Sequence, residues 1–140
     1  AGISSTCSTT GAFRVESHVL DHGPIDLFFI EFAVNDDQDA RHPIEQCTRG
    51  MEGIIRHTRM RYPNADIVVT YFLNDPMREL RAAGETPLSM QGHEPVVQHY
   101  DVSTIDLATE VAQQIEEGTL TWQKFGGVHP APYATRFAPT

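Results

Sequence analysis

Long apolar runs and helical spacing alternate along the chain. Two stretches, 25–34 (IDLFFIEFAV) and 65–73 (ADIVVTYFL), are nearly continuous in apolar residues, as is typical of strands that helices cover on both faces. Each stretch ends in a short polar run, at 35–37 (NDD) and at 74–75 (ND). The pattern therefore predicts two strands of a parallel sheet that lies between helices.

Helices and one further strand are predicted around those two strands. Residues 9–20 have the spacing of a helix with a threonine cap, and Pro43 is well placed at the start of a helix that Pro63 ends. Residues 77–92 hold two glycines, one proline and no clean period, so we expect a long surface excursion there. The later elements are a short helix over 93–100, a strand over 102–105 and a helix over 107–118. This alternation predicts an α/β domain.

The size and the net charge of the chain limit the functions that it could have. The chain has 140 residues, which suits a single domain over residues 1–140. Its 10 basic and 19 acidic residues give a formal charge of −9, so a nucleic-acid partner and a polybasic attachment to anionic lipid are disfavoured. No apolar run approaches the roughly 18 residues of a membrane span.

Cysteine and histidine patterns give no metal site. Cys7 and Cys47 are too few for a disulfide framework and too isolated for a zinc site. They either pair with each other or are ordinary core thiols, and the sequence leaves both open. The histidines other than His129 show no ligand spacing, so we expect surface positions or local caps for them. We therefore expect no metal and no cofactor.

Three residue groups resemble the second, third and last motif blocks of the SGNH/GDSL hydrolases. They are 1–6 (AGISST), 32–36 (FAVND) and 128–130 (VHP), and their order and spacing match the family over nearly the whole chain. The resemblance implies a flavodoxin-like three-layer α/β/α sandwich with a parallel sheet. It also implies a serine ester hydrolase of the esterase, lipase or acylhydrolase kind.

The resemblance assigns roles to three residues. By position, His129 would be the general base, Asn35 the side-chain oxyanion donor and Ser5 a backbone oxyanion donor, at a place where the family usually has glycine. The chemistry suits these roles, because a fixed amide N–H stabilises developing negative charge and an imidazole exchanges protons near neutral pH. The substrate would be a small-molecule ester, with acylated carbohydrates among the choices.

Two departures from the family pattern change what we expect of the chain. No Gly-Asp-Ser motif occurs, and the family's order would put it before residue 1. The family's acid, three residues before the histidine, is replaced by Gly126. We therefore expect the carboxyl-terminal portion of a larger domain that lacks its first strands, and whether this chain alone is an enzyme stays open. Its localisation is unknown for the same reason.

The absent strands have a physical consequence for the chain. The missing strand would lie beside 25–34, so we expect an exposed apolar sheet edge there, with self-association through it. Two other functions remain open. Asp36, Asp37 and Asp75 could hold Mg²⁺ in a phosphoryl-transfer or phosphoacceptor domain, or the chain could be a non-catalytic SGNH-like protein that binds a carbohydrate or a protein.

Two expectations concern positions within the sheet. Asn35 and His129 should approach one another at its carboxyl edge. Glu31 lies within the predicted strand, four residues before Asn35, which is too deep for contact with a substrate. We therefore expect Glu31 to be a partly buried carboxylate satisfied by a nearby donor, as buried polar groups usually are, and not a catalytic acid.

Overall fold

Three parallel strands flanked by helices form the molecule. A computed structural model describes residues 2–130. In the sheet β2 lies between β1 and β3, with Ile30 opposite Val69 and Val69 opposite Thr104. The predicted α/β architecture of a flavodoxin-like sandwich with a parallel, shortened sheet is confirmed. The strands are β1 (Leu27–Ile30), β2 (Asp66–Tyr71) and β3 (Ser103–Asp106).

Within residues 2–130, six α-helices pack around this sheet. The helix α1 packs on α2, α2 packs on α4, and α3 packs on α5, while Met51, Ile55 and Val69 are completely buried in the core. Among residues 2–130, no helix has both the length and the apolar character needed to cross a bilayer. The helices are α1 (Ser8–His18), α2 (Ile44–Arg61), α3 (Asp75–Ala82), α4 (Leu88–His99), α5 (Leu107–Glu116) and α6 (Trp122–Phe125).

The first strand is shorter than predicted. It ends at Ile30, and the chain then turns helical, since the amide of Asp36 donates to the carbonyl of Phe32 at 2.9 Å. Ala33 and Val34 are buried within this turn. A continuous apolar run is equally compatible with a buried strand and a buried helical turn, so its composition did not reveal where the strand ends.

The prediction of a surface excursion over residues 77–92 is wrong. The segment contains most of α3 and the start of α4, and both Met77 and Met90 are completely buried. Gly92 permits close helix packing, because a Cβ at this position would lie 2.6 Å from the Cβ of Cys47. The glycine that suggested an irregular segment is therefore a contact point between α4 and α2.

An apolar edge borders the sheet at β1. Within residues 2–130 no strand pairs with the outer side of β1. Leu27 and Phe29 are 52% and 55% exposed, so the exposed apolar edge predicted from the sequence is present. An unpaired strand of this kind offers free backbone donors and acceptors to another strand.

Candidate active site

A cavity of about 250 Å³ opens where β1 and β2 end, and the three predicted site residues line it. Ser5 comes from the loop before α1, Asn35 from the turn after β1, and His129 from the loop after α6. The expected approach of Asn35 and His129 at the carboxyl edge is thus observed as a shared cavity wall. Carboxyl ends of parallel strands are the usual ligand sites of such sheets.

The Asn35 amide is held by a carboxylate one turn further along. Its Nδ2 donates to Oδ2 of Asp39 at 2.9 Å, and both residues belong to the π-helical turn Asn35–Asp39. A primary amide carries two N–H groups, so one remains available for a ligand in the cavity. Asp39 therefore orients the candidate oxyanion donor.

Ser5 adopts a backbone conformation that favours glycine. Its φ is +56°, in the left-handed region that L residues with a Cβ enter at a cost of about 1–2 kcal/mol. Nearby, the hydroxyl of Thr6 donates to the carbonyl of Ile3 at 2.8 Å and closes the turn. This geometry gives a physical reason for glycine at this position in proteins that the segment resembles.

His129 is exposed on a loop whose base is firmly anchored. The buried Phe125 stacks on Trp122 with ring centroids 5.7 Å apart, and the amides of Gly126 and Gly127 both donate to the carbonyl of Trp122. The φ angles of these glycines are +100° and +72°. An aspartate at Gly126 would be strained in this backbone, so the turn disfavours an acid at this position.

Glu31 also lines the cavity, although the sequence placed it too deep in the sheet. Because β1 ends at Ile30, Glu31 is the first residue beyond the strand. Its Oε1 accepts the amide of Val34 at 3.4 Å. Burial raises the pKa of its carboxyl to about 7, against the opposing effect of nearby amides led by those of Val34 and Ala33. The expected partly buried carboxylate with a local donor is present, but it faces the cavity.

Asp36 and His93 form a buried hydrogen-bonded pair. Asp36 accepts the amide of Ser8 at 2.7 Å through Oδ1, and its Oδ2 lies 2.9 Å from Nε2 of His93. The sequence interpretation of His93 as a surface residue is wrong, since its side chain is fully buried. Its helical spacing from Met90 and Val97 was the available signal, because all three share the apolar face of α4.

The three aspartates of the magnesium hypothesis do not converge. Asp37 accepts Nδ2 of Asn74 at 2.8 Å, and Asp75 accepts Nε of Arg78 at 2.8 Å. Within residues 2–130, no group of potential metal ligands brings either of them together with Asp36. This separation removes the observation on which the phosphoryl-transfer hypothesis rested.

Asp36 does lie in two mixed clusters of potential ligands. One contains Cys7 and His42, and the other contains Cys47 and His93. Both oxygens of Asp36 already hold protein partners, and burial raises the pKa of the Cys47 thiol to about 12, which disfavours the thiolate that a metal needs. Both cysteines are free, so the disulfide alternative is wrong.

Two crystal structures share this fold over nearly all of the chain. Both are of a two-domain esterase active on acetylated mannans, and one was co-crystallised with mannopentaose; each gives a TM-score of 0.74, at 21% and 22% identity. The matches cover 92% and 93% of this chain but only 32% of each esterase chain. No family model and no curated protein sequence matches. At this identity the likeness establishes the fold alone.

Proposed function

We propose that this chain is the carboxyl-terminal portion of a serine ester hydrolase of the SGNH type. The observation that carries the proposal is the convergence of Ser5, Asn35 and His129 on one cavity at the carboxyl edge of the sheet. Three segments far apart in sequence bring a backbone N–H, an amide and an imidazole together. The fold shared with an esterase supports the same function.

In the proposed mechanism, His129 is the general base and acid for a serine that precedes residue 1. The serine Oγ attacks the acyl carbon while His129 takes its proton, and the carbonyl oxygen becomes an oxyanion stabilised by Asn35 and the amide of Ser5. His129 then protonates the departing alkoxide as the C–O bond breaks, leaving an acyl-serine. Water, deprotonated by His129, then attacks this ester. His129 returns the proton to the serine Oγ as the C–O bond to serine breaks and the carboxylic acid is released.

The surface beside Asn35 suits the segment that would carry the serine. A mostly apolar cavity of about 130 Å³ is lined by Asn35, by Phe32 and by Phe28 of β1. Among the residues that the structure describes, no strand pairs with the outer side of β1. A parallel strand on that edge would end at the same side of the sheet as β1. It would then deliver the residue that follows it toward Asn35, and it would cover the exposed apolar edge.

The cavity shared by Ser5, Asn35 and His129 favours an ester with a small acyl group on a polar alcohol. Its volume is about 250 Å³, and Gln38, Asp39 and Ser4 add polar side chains to its wall. This wall offers hydrogen bonds to hydroxyl groups beside the apolar side chains of Val34, Phe72 and Val128. We infer that an acetylated carbohydrate is the substrate class, in line with the substrate named for the structural neighbour.

The decisive experiment uses the natural full-length protein. We expect it to release acetate from acetylated mannan and p-nitrophenyl acetate, and to react with a fluorophosphonate at a serine. His129→Ala and Asn35→Ala should reduce turnover at least about 10²-fold, whereas His57→Ala, which removes a surface hydrogen bond to Glu16, should not. Absence of both turnover and labelling would overturn the proposal. Saccharide binding without turnover would instead identify a non-catalytic relative, which Gly126 in place of the acid favours.

A further inference from the structure

The candidate base has no acid at the position where the resembled family carries one. Gly126 lies there in a left-handed turn with φ of +100°, so a carboxylate must come from another segment if His129 has one. Among the described residues that line the cavity with His129, two carry carboxyl groups, Glu31 and Asp39. Their contacts distinguish them.

Asp39 is already engaged with the oxyanion donor. Its Oδ2 accepts the Asn35 amide at 2.9 Å within one helical turn, and its side chain is exposed. Moving this carboxylate to the imidazole would release the amide that the proposed reaction needs. We therefore assign Asp39 as the hydrogen-bond partner of the Asn35 amide.

Glu31 lies deeper and has no side-chain donor. It follows β1 directly, and the backbone amides around its carboxyl come from Val34 and Ala33 in the next turn and from Phe72 after β2. Within residues 2–130 it forms no ion pair with lysine, arginine or histidine. Asp36, in the same turn, is the carboxylate that acts on it, while Asp39 and His129 share the cavity wall with it.

We propose that Glu31 is a positioning residue for His129, supplying the negative charge that stabilises the imidazolium formed when His129 takes a proton. This inference rests on the proposed ester hydrolysis and extends it. Opposite charges sharing a small, partly desolvated cavity interact more strongly than in water, so direct contact between the two side chains is not required. The carboxylate that the last motif lacks is thus replaced from the turn after β1.

Burial explains why such a carboxylate responds to the imidazole. The raised pKa of Glu31, about 7, matches the range in which imidazole titrates. A proton gained by His129 favours the ionised form of Glu31, so the two groups exchange charge in concert.

The test follows the His129 imidazole in the natural full-length protein by NMR, with its resonance assigned through His129→Gln. We expect Glu31→Gln to lower the pKa of His129 by about one unit, to move the acidic limb of the kcat/KM profile by the same amount, and to reduce kcat/KM about 10²-fold. Glu31→Asp keeps the charge, so it should change the pKa of His129, the acidic limb and kcat/KM less than Glu31→Gln does. Glu85→Gln, at an exposed position, is the matched control.

Three outcomes separate this inference from the proposed function. Turnover with an unchanged His129 pKa and pH profile in Glu31→Gln would overturn the role of Glu31 and leave the hydrolase intact. A shift produced by Asp39→Asn and not by Glu31→Gln would assign the charge to Asp39 instead and also overturn it. A shift in Glu31→Gln in a protein without esterase activity would support the charge coupling and reject the hydrolase. Circular dichroism of each variant verifies folding.

Discussion

Asp36 and His93 form a buried pair, with Oδ2 and Nε2 2.9 Å apart and neither side chain reached by solvent. Asp36 also accepts the amide of Ser8 at the start of α1, where a negative charge is favoured by the helix dipole. One carboxylate thus connects α1, the turn after β1 and α4. Because Asn35 precedes Asp36 in that turn, the pair also fixes where the candidate oxyanion donor lies.

Removing the carboxylate of this pair should be costly. We expect Asp36→Ala to lower the free energy of unfolding by about 3 kcal/mol, because it leaves His93 and the Ser8 amide buried without their partner. Urea unfolding measures the change. Asp21→Ala, which removes an exposed carboxylate 3.8 Å from Arg61, should change the free energy by less than about 0.5 kcal/mol. Equal losses in the two variants would contradict the role of the buried pair.

Glu31 should make stability depend on pH in a defined direction. Its pKa is raised from 4.5 to about 7 in the folded state, so between these values the folded protein binds more protons than the unfolded chain, and stability falls as pH rises. The penalty is complete above pH 7 and amounts to at most about 3 kcal/mol. We expect Glu31→Gln to be more stable than the wild type at pH 8 and unchanged near pH 4.

Thermal and urea unfolding of both proteins from pH 4 to pH 8 tests this dependence. Glu85→Gln, at an exposed site, should follow the wild-type curve. A Glu31→Gln curve parallel to the wild type would mean that the carboxyl is not desolvated. The experiment bears on function as well, since a side chain that destabilises the fold at neutral pH is expected where it serves a reaction.

The sequence predicted the three strands and the helices α1, α2, α4 and α5 in their order, because each core element must bury an apolar face with a fixed period. It placed a surface excursion where α3 lies. It did not locate the end of β1, because Ala33 and Val34 are buried in a helical turn as well as they would be in a strand. Because the strand ends earlier than predicted, Glu31 lies at the cavity and not in the interior of the sheet. The pairing of Asp36 with His93 depends on how α4 packs against the rest of the fold. No local sequence pattern determines this packing.

The two thiols should differ sharply in reactivity. Burial opposes ionisation of Cys7, but hydrogen bonds led by those from the Thr10 and Thr9 hydroxyls outweigh it and lower the pKa to about 7. Burial raises that of Cys47 to about 12. Since the thiolate is the nucleophile, alkylation of Cys7 by iodoacetamide should rise through a midpoint near pH 7, while Cys47 stays unmodified. Peptide mass mapping over pH 5.5–9 measures both, and modification of Cys47 first would contradict the assignment.

Ser5 allows its backbone to be tested separately from its side chain. Ser5→Gly keeps the N–H and suits the φ of +56°, so full-length activity should be retained and stability unchanged or raised by up to about 1 kcal/mol. Ser5→Pro removes the N–H and requires a φ near −65°, so kcat should fall by about 10²-fold or more. Steady-state kinetics with p-nitrophenyl acetate distinguishes the two, and loss of activity in Ser5→Gly would indicate that the hydroxyl itself takes part.

The unpaired edge of β1 should determine how the 140-residue chain behaves without any preceding segment. It should self-associate through that strand, because Leu27 and Phe29 remain half exposed beside free backbone groups. Phe29→Lys should reduce association, measured by sedimentation velocity over a range of concentrations. Phe13→Lys replaces a 91% exposed phenylalanine on α1 and should leave association unchanged.

The chain should also fail to hydrolyse p-nitrophenyl acetate, since the proposed serine is absent. A monomeric chain whose esterase activity is lost in His129→Ala would require a nucleophile within residues 1–140.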